Sequence, residues 1–257
     1  MKILALDSSG LVASVALVED DVLIAEYTTD YKKTHSQTLL PMLDEIRKMV
    51  DLDLSSVDLI AAAAGPGSFT GLRIGSATAK GLGLALNKPL AAIPTVDALA
   101  WNLYGCDKVI CPMMDARRSQ VYTGLYTFER IKETMQFQVI KKQCAMPVEE
   151  LINELNTLGK EVIFLGDGVP VYEKQIRSGV QVPYSFAPAG CNRQRAATIA
   201  MLGAEYAKEG ALISAGDFTP EYLRMSQAER ERMEASEAEK ERMKAGITPA
   251  SAHTAGE

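Results

Sequence analysis

Apolar and polar positions change their period several times along this chain, and each change marks an element. Lys2–Leu6 is an apolar run closed by Asp7-Ser8-Ser9-Gly10, and apolar stretches recur at Val12–Val18 and Val22–Tyr27. Short apolar runs bounded by turn residues read as strands. Glu19-Asp20-Asp21 supplies a tight turn between the last two, so the three are expected to form an antiparallel meander. The period then becomes helical. Leu39, Leu43, Ile46 and Val50 lie at i, i+4, i+7 and i+11, with Ser36 as the expected N-cap and Pro41 near the first turn, where it costs least. Leu40, Met42 and Met49 add apolar surface beyond one sheet-facing stripe. Such a helix is either deeply buried or also meets a partner. Next are expected a buried strand over Val57–Ala63, a Gly-Pro-Gly turn, and a small-residue helix over Leu72–Leu86 capped by Thr70. A short strand at Leu90–Ile93 and a helix over Val96–Tyr104 follow.

The pattern then restarts. Val109–Asp115 mirrors Ile3–Asp7, and Val121–Tyr126 alternates as Ala13–Val18 does. Val162–Leu165, running into Gly166-Asp167-Gly168-Val169-Pro170, repeats the strand, glycine turn and helix start of Ile60–Thr70. The same order at a similar spacing is an internal repeat. The expected fold class is α/β, with two duplicated β-β-β-α-β-α lobes whose Asp-tipped hairpins face a common cleft. That is the actin-like ATPase (ASKHA, ribonuclease H-like) fold. The lobes are expected at residues 1–105 and 106–224. The tail 225–257 reads as peripheral or disordered: Ser226–Ala245 carries eleven charged residues in twenty, without a steady apolar stripe.

With 257 residues, 47% of them hydrophobic, the chain can bury one large core or two ordinary ones. Its net charge of −6 makes it a poor candidate for gripping nucleic acid alone. Ile3–Leu6 is too short for a signal-peptide core, and Asp7 interrupts it. No run approaches the roughly 18 apolar residues of a membrane span. Cys106, Cys111, Cys144 and Cys191 show no C-x-x-C spacing, so a reduced, cytoplasmic chain is expected.

Candidate chemistry centres on Gly65-Pro66-Gly67-Ser68-Phe69-Thr70-Gly71-Leu72-Arg73-Ile74-Gly75. A glycine turn between strand and helix is where nucleotide-binding folds place phosphates. Here the Gly-Lys-[Ser/Thr] of a P-loop is missing. The hairpin Asp7-Ser8-Ser9-Gly10 keeps part of a phosphate tip, while Asp115-Ala116-Arg117-Arg118-Ser119 has no glycine to cradle one. Asp167 stands where adenosine would be gripped. Asp7, Ser8, Gly65, Gly67 and Arg117 are therefore expected to make only vestigial nucleotide or anion contacts. Asp7 itself either caps its turn or, in an ATPase, holds Mg²⁺ through water. His35 is followed four residues later by Leu39, and the other histidine, His253, lies in the tail. That is a poor donor set for a metal, and no Ser-His-Asp or Cys-His set stands out. Gly71, Gly75, Gly81 and Gly83 each cost a helix about 1 kcal/mol relative to alanine. Close approach to the helix's own sheet, and to another protein, is the expected compensation.

The Gly65–Gly75 run, Lys80-Gly81-Leu82, Thr34-His35-Ser36 ahead of Leu39-Leu40-Pro41, Asp115-Ala116-Arg117-Arg118, and Pro220-Glu221-Tyr222-Leu223-Arg224 together resemble the TsaB (YeaZ) family. The likeness runs from Met1 to about Arg224. It implies a non-catalytic dimerisation subunit, without a cofactor, of the complex that puts threonylcarbamoyl on N6 of adenosine 37 in tRNAs reading ANN codons. The implied partners are the catalytic subunit TsaD and the small ATPase TsaE, with tRNA met only through the complex, a homodimer when alone, and no membrane. The catalytic relative carries a His-x-x-x-His metal pair where this chain has His35 and Leu39. The partner surface is expected at His35, Leu39, Leu40, Leu43, Ile46, Leu72, Gly75 and Ala79. The alternative is an active enzyme of the same fold, an ATP-dependent kinase or a metal-dependent hydrolase or peptidase.

Overall fold

In the computed structural model, which describes residues 1–31, 33–224 and 232, the first strand β1 (Lys2–Asp7) pairs antiparallel with β2 (Ala13–Glu19). Strand β2 in turn pairs antiparallel with β3 (Val22–Thr29). Asp20 and Asp21 turn the second hairpin with φ of 45° and 65°, the left-handed pair that a two-residue hairpin loop requires. Helix α1 (His35–Met49) leads to β4 (Leu59–Gly65), α2 (Phe69–Leu86), β5 (Leu90–Pro94) and α3 (Thr95–Trp101). Strands β4 and β5 run parallel to β1, giving the order β3-β2-β1-β4-β5.

The second half repeats this with β6 (Val109–Asp115), β7 (Gln120–Ile131), β8 (Thr134–Pro147), α4 (Val148–Leu158), β9 (Val162–Leu165), α5 (Gly168–Gly179), β10 (Tyr184–Phe186) and α6 (Ala196–Lys208). Its sheet, read from β8 to β10, has the order β8-β7-β6-β9-β10, the same topology as the first. The duplicated α/β fold expected from the sequence is therefore present, and each copy is one strand and one helix longer than the repeat read from the pattern.

Strand alternation decides which layer covers which face. Leu4, Leu6, Val15 and Leu17 pack with Leu39, Leu43 and Ile46 of α1 and Ala79 of α2. On the opposite face Ile3, Ala5, Ala16, Leu59 and Ala61 pack with Ala196, Ile199 and Ala200 of α6. Helix α6 thus follows the second sheet in the chain but covers the first. A Cβ on Gly203 would stand 2.8 Å from the Ala61 methyl, so only glycine lets this helix lie so close. In the second lobe, α4 and α5 cover one face with Leu151, Leu155, Tyr172 and Ile176. Helix α3 brings Val96, Leu99 and Ala100 against Ile110, Met114, Tyr126 and Phe128 on the other. Tyr126 Oη donates to Asp97 Oδ1 at 2.6 Å across that junction.

After α6 the chain returns along the first lobe. Ile213 bridges Leu90 at the edge of β5. Lys80 Nζ donates to the carbonyls of Gly216 and Phe218 at 3.0 and 3.1 Å, and Phe218 is buried. Glu221 N donates to Ala64 O at 2.6 Å. Met1–Leu223 forms one compact unit. Apart from Arg232, the expected tail 225–257 lies outside the described residues.

Several boundaries differ from expectation. Helix α1 begins at His35 after Thr34, whose side chain makes no capping bond, so Ser36 lies inside the first turn. The cap of α2 is Ser68, whose Oγ accepts from Gly71 N at 3.3 Å, and Thr70 is already helical. The buried strand is Leu59–Gly65, and α3 ends at Trp101.

Candidate functional site

The tip of the β1–β2 hairpin and the glycine turn before α2 face each other and bond across the gap, while His35 Nδ1 and the side-chain amide of Gln194 beside them are buried without a hydrogen-bond partner among the described residues. Asp7 is 1% exposed. Its Oδ1 accepts from Ser9 N at 2.8 Å and from Ser9 Oγ at 2.6 Å, a side-chain turn of the kind aspartate favours. Burial pushes its carboxyl above the usual range, and the Ser9 bonds pull the other way. Ser8 Oγ donates to Gly71 O at 2.9 Å, and Ser68 N donates to Ser9 O at 2.6 Å. A Cβ on Gly71 would overlap the Ser8 carbonyl oxygen, one on Gly75 the Ser8 hydroxyl, and one on Gly67 the Ser9 carbonyl oxygen. These glycines seat the helix N-terminus directly on the hairpin tip. On the other flank His35 Nε2 hydrogen-bonds Gly10 O at 2.9 Å. Gln194, 1% exposed, places Nε2 2.7 Å from where a Cβ of Gly10 would stand. Gly65, with φ of 113°, donates to Thr95 Oγ1 at 3.1 Å, and Gln143 Nε2 donates to its carbonyl at 3.4 Å.

The structure therefore seats Ser8 and Ser9, beside the buried Asp7, against Gly67, Gly71 and Gly75, while Gly65 lies against Thr95, Gln143 and the Glu221 carbonyl instead. Arg117 sits on the other hairpin. There, Asp115 Oδ1 accepts from Arg117 N and from Tyr172 Oη, both at 2.9 Å. Arg117, Arg118 and Ser119 have φ of 64°, 54° and 56°, three successive residues in the left-handed region, where side chains are disfavoured. Burial pushes the Asp167 carboxyl up, opposed by the Asp115 N–H that donates to it at 3.4 Å. Gly166 and Gly168 lie against the Met113 carbonyl. Beside them a hollow of about 250 Å³ is lined by Phe164, Val169, Phe186, Asn192 and Arg193.

Most of the partner surface expected from the sequence is inside the protein. Leu39, Leu43, Ile46, Leu72, Gly75 and Ala79 are buried. The i, i+4, i+7 stripe that marks α1 as a helix is the stripe that faces its own sheet, and the small residues of α2 face the hairpin tip. His35 is half-buried. Leu40, at 54% exposure, is the member of that set left on the surface. What the structure leaves open is the adjoining face. Thr70, Arg73, Ala77, Gly81 and Leu84 are exposed at helical spacing along α2, and α1, which packs beside α2, exposes Leu40 and Met49 on its two opposite flanks. A Cβ on Gly81 would meet nothing within 4 Å. The signal for this face was in the sequence: beside Leu72, Gly75 and Ala79, the series Ala77, Gly81 and Leu84 is equally small or apolar, with Arg73 at its start.

Among the described residues, no group of three or more His, Cys, Asp or Glu side chains is placed to hold a metal ion, and no helix is long and apolar enough to cross a membrane. Burial pushes the Cys111 thiol up to about 12, which makes it an inert core residue.

Comparison with known proteins gives a consistent set of relatives. A family model described as TsaD, tRNA N6-adenosine threonylcarbamoyltransferase, matches residues 23–232. The Bacillus subtilis tRNA threonylcarbamoyladenosine biosynthesis protein TsaB is 34% identical over 235 residues, 91% of this chain and 99% of that protein. The Escherichia coli TsaB is 35% identical over 129 residues, 49% of this chain and 55% of that one. YeaZ from Pseudomonas aeruginosa superposes with a TM-score of 0.71 and 27% identity, covering 86% of this chain and 99% of its own. A second Pseudomonas aeruginosa structure, described as similar to peptidase YEAZ, gives the same TM-score at 26% identity, over 87% of this chain and 99% of that one.

Proposed function

The chain belongs to the TsaB (YeaZ) family of tRNA threonylcarbamoyladenosine biosynthesis proteins, and on that premise we propose that it is a non-catalytic subunit that binds and supports the catalytic subunit TsaD. The observation that carries this reading is the contrast between two surfaces. The hairpin tip that would take phosphates is enclosed by Gly71, Gly75, His35 and Gln194. The outer face of α2 is open, with Ala77, Gly81 and Leu84 exposed in one series, and Leu40 and Met49 are more than half exposed on the two flanks of α1. Scattered exposed apolar residues are normal, but a contiguous face of them marks an interface. Small residues at Ala77 and Gly81 let a second helix approach closely.

In this role the protein works in the cytoplasm, and TsaE and tRNA join through the assembled complex, in keeping with a net charge of −6. Without its partner the same face pairs two copies of the chain. The metal-dependent reading gains nothing from the site, since His35 spends Nε2 on Gly10 and faces no cluster of ligands among the described residues.

The test is to mix the purified protein with TsaD from the same organism and follow complex formation by titration calorimetry. Ala77→Arg and Leu84→Asp are expected to weaken binding at least about tenfold, roughly 1.4 kcal/mol, with the melting temperature unchanged. The isolated protein is expected neither to modify tRNA nor to turn over ATP. Steady ATP turnover by the isolated chain, lost on substitution of Asp7, would overturn the proposal.

A further inference from the structure

We propose that Arg73 is a docking point for an aspartate or glutamate of the partner subunit, and that the returning C-terminal segment holds it ready; this rests on the partner surface proposed above. Phe69 is the first residue of α2, and Arg73 lies one turn on. The Arg73 guanidinium carbon stands 4.3 Å from the centroid of the Phe69 ring. That ring in turn meets Tyr222 with centroids 4.7 Å apart at 37°. Tyr222 is not left to find this place by itself. Its neighbour Glu221 is tied to the end of β4 through Ala64 O and receives Gln143 Nε2 from β8 at 3.2 Å. Lys80 clamps the same segment upstream.

The consequence is an arginine fixed in orientation but not consumed. A guanidinium lying on an aromatic face keeps its N–H edges directed outward, and its planar fork matches a carboxylate with two parallel bonds. No carboxylate pairs with Arg73 among the described residues. Stacking has already removed rotamer freedom that binding would otherwise have to remove. Arg73 also begins the exposed series Ala77, Gly81 and Leu84. A helix docked on those small residues would shield the pair from water, where a charged hydrogen bond is strongest. Tyrosine and arginine beside a tightly approached surface are the usual composition of an interface hot spot. A nucleic-acid phosphate has the same acceptor geometry. The carboxylate is favoured because Glu221 stands at this end of the helix and the whole chain is acidic, both of which repel a polyanion.

The experiment is titration of TsaD from the same organism into wild type, Arg73→Ala, Arg73→Lys, Tyr222→Ala and the Arg73→Ala/Tyr222→Ala double variant, at low and high salt. Arg73→Ala is expected to weaken binding about ten- to a hundredfold and to flatten its salt dependence. Arg73→Lys should recover only part of the loss, because lysine is a point charge without a stackable plane. The two losses should combine to less than their product, since they disable one device. Wild-type affinity in Arg73→Ala, with binding lost in Leu84→Asp, would overturn this inference and leave the partner surface standing. Binding unchanged in both would overturn the partner surface as well. Intact subunit binding with weakened retention of tRNA by the Arg73→Ala complex would assign the arginine to RNA and also overturn the inference.

Discussion

Gly71 and Gly81 stand on the same helix, yet an added methyl group meets opposite surroundings at the two positions. At Gly71 it overlaps the Ser8 carbonyl oxygen, a backbone atom of the opposing hairpin that cannot swing aside; at Gly81 it enters open space. Gly71→Ala is therefore expected to destabilise by about 1–3 kcal/mol, and Gly81→Ala to stabilise by about 0.5–1 kcal/mol through helix propensity. Thermal melts of the two variants against wild type check both signs. Asp7 offers a second test at this scale. Its folded-state pKa is raised by burial, so between the ordinary aspartate value of about 3.9 and that raised value the folded protein holds a proton the unfolded chain has released. Stability then falls as pH rises through this window. Asp7→Asn keeps the acceptor for Ser9 and removes the titration. Its stability is expected to match or exceed wild type at neutral pH, with the difference closing below the window. Chemical denaturation at a series of pH values measures it.

Between elements, legibility from sequence depended on whether an element's partner lay nearby in the chain. The hairpins β1–β2 and β2–β3, and the strand, glycine turn and helix from Leu59 to Leu86, carry their own period and turn residues. Strand β8 did not stand out: it is an edge strand, half or fully exposed over most of its length, and Lys141-Lys142-Gln143 breaks its alternation. Strand β10 is three residues long. Helix α4 is short, and its buried face, Val148, Leu151, Ile152 and Leu155, has an ordinary helical period. Helix α6 is rich in alanine with a weak single stripe, because what makes it a core helix is a sheet built from the opposite end of the chain. The site shows the same division. The apolar period identified the helices α1 and α2 but said nothing of which face was spent on the fold. The Ala77→Arg and Leu84→Asp variants address the outer face, and a parallel Leu43→Ala variant should lower stability by about 2–5 kcal/mol as a core truncation. That contrast separates an interface residue from a packing residue on adjoining helices.

Across the whole molecule the duplication was visible from repeated strand and turn patterns, whereas the joints between the copies were not. Helix α3 belongs by sequence to the first repeat and packs its apolar residues into the second. The Tyr126–Asp97 bond crosses the same junction. Burial pushes the Asp97 carboxyl up, with the tyrosine bond opposing it. Tyr126→Phe would leave that carboxylate without its donor, at an expected cost of about 1–3 kcal/mol, read as a lower midpoint in denaturant unfolding. Such joints hold Met1–Leu223 together as a single unit.

The return of α6 to the first sheet also sets an order of events during synthesis. Ile3, Ala5, Ala16, Leu59 and Ala61 leave the ribosome early, but Ala196, Ile199 and Ala200, which cover them, are made after the whole second sheet. Until then one face of a nearly finished sheet has no cover of its own, and the segment that bonds Ala64 and positions Tyr222 has not been made. The earliest part of the chain is therefore the last to be completed, and the α2 face proposed for a partner is finished only when Tyr222 reaches Phe69.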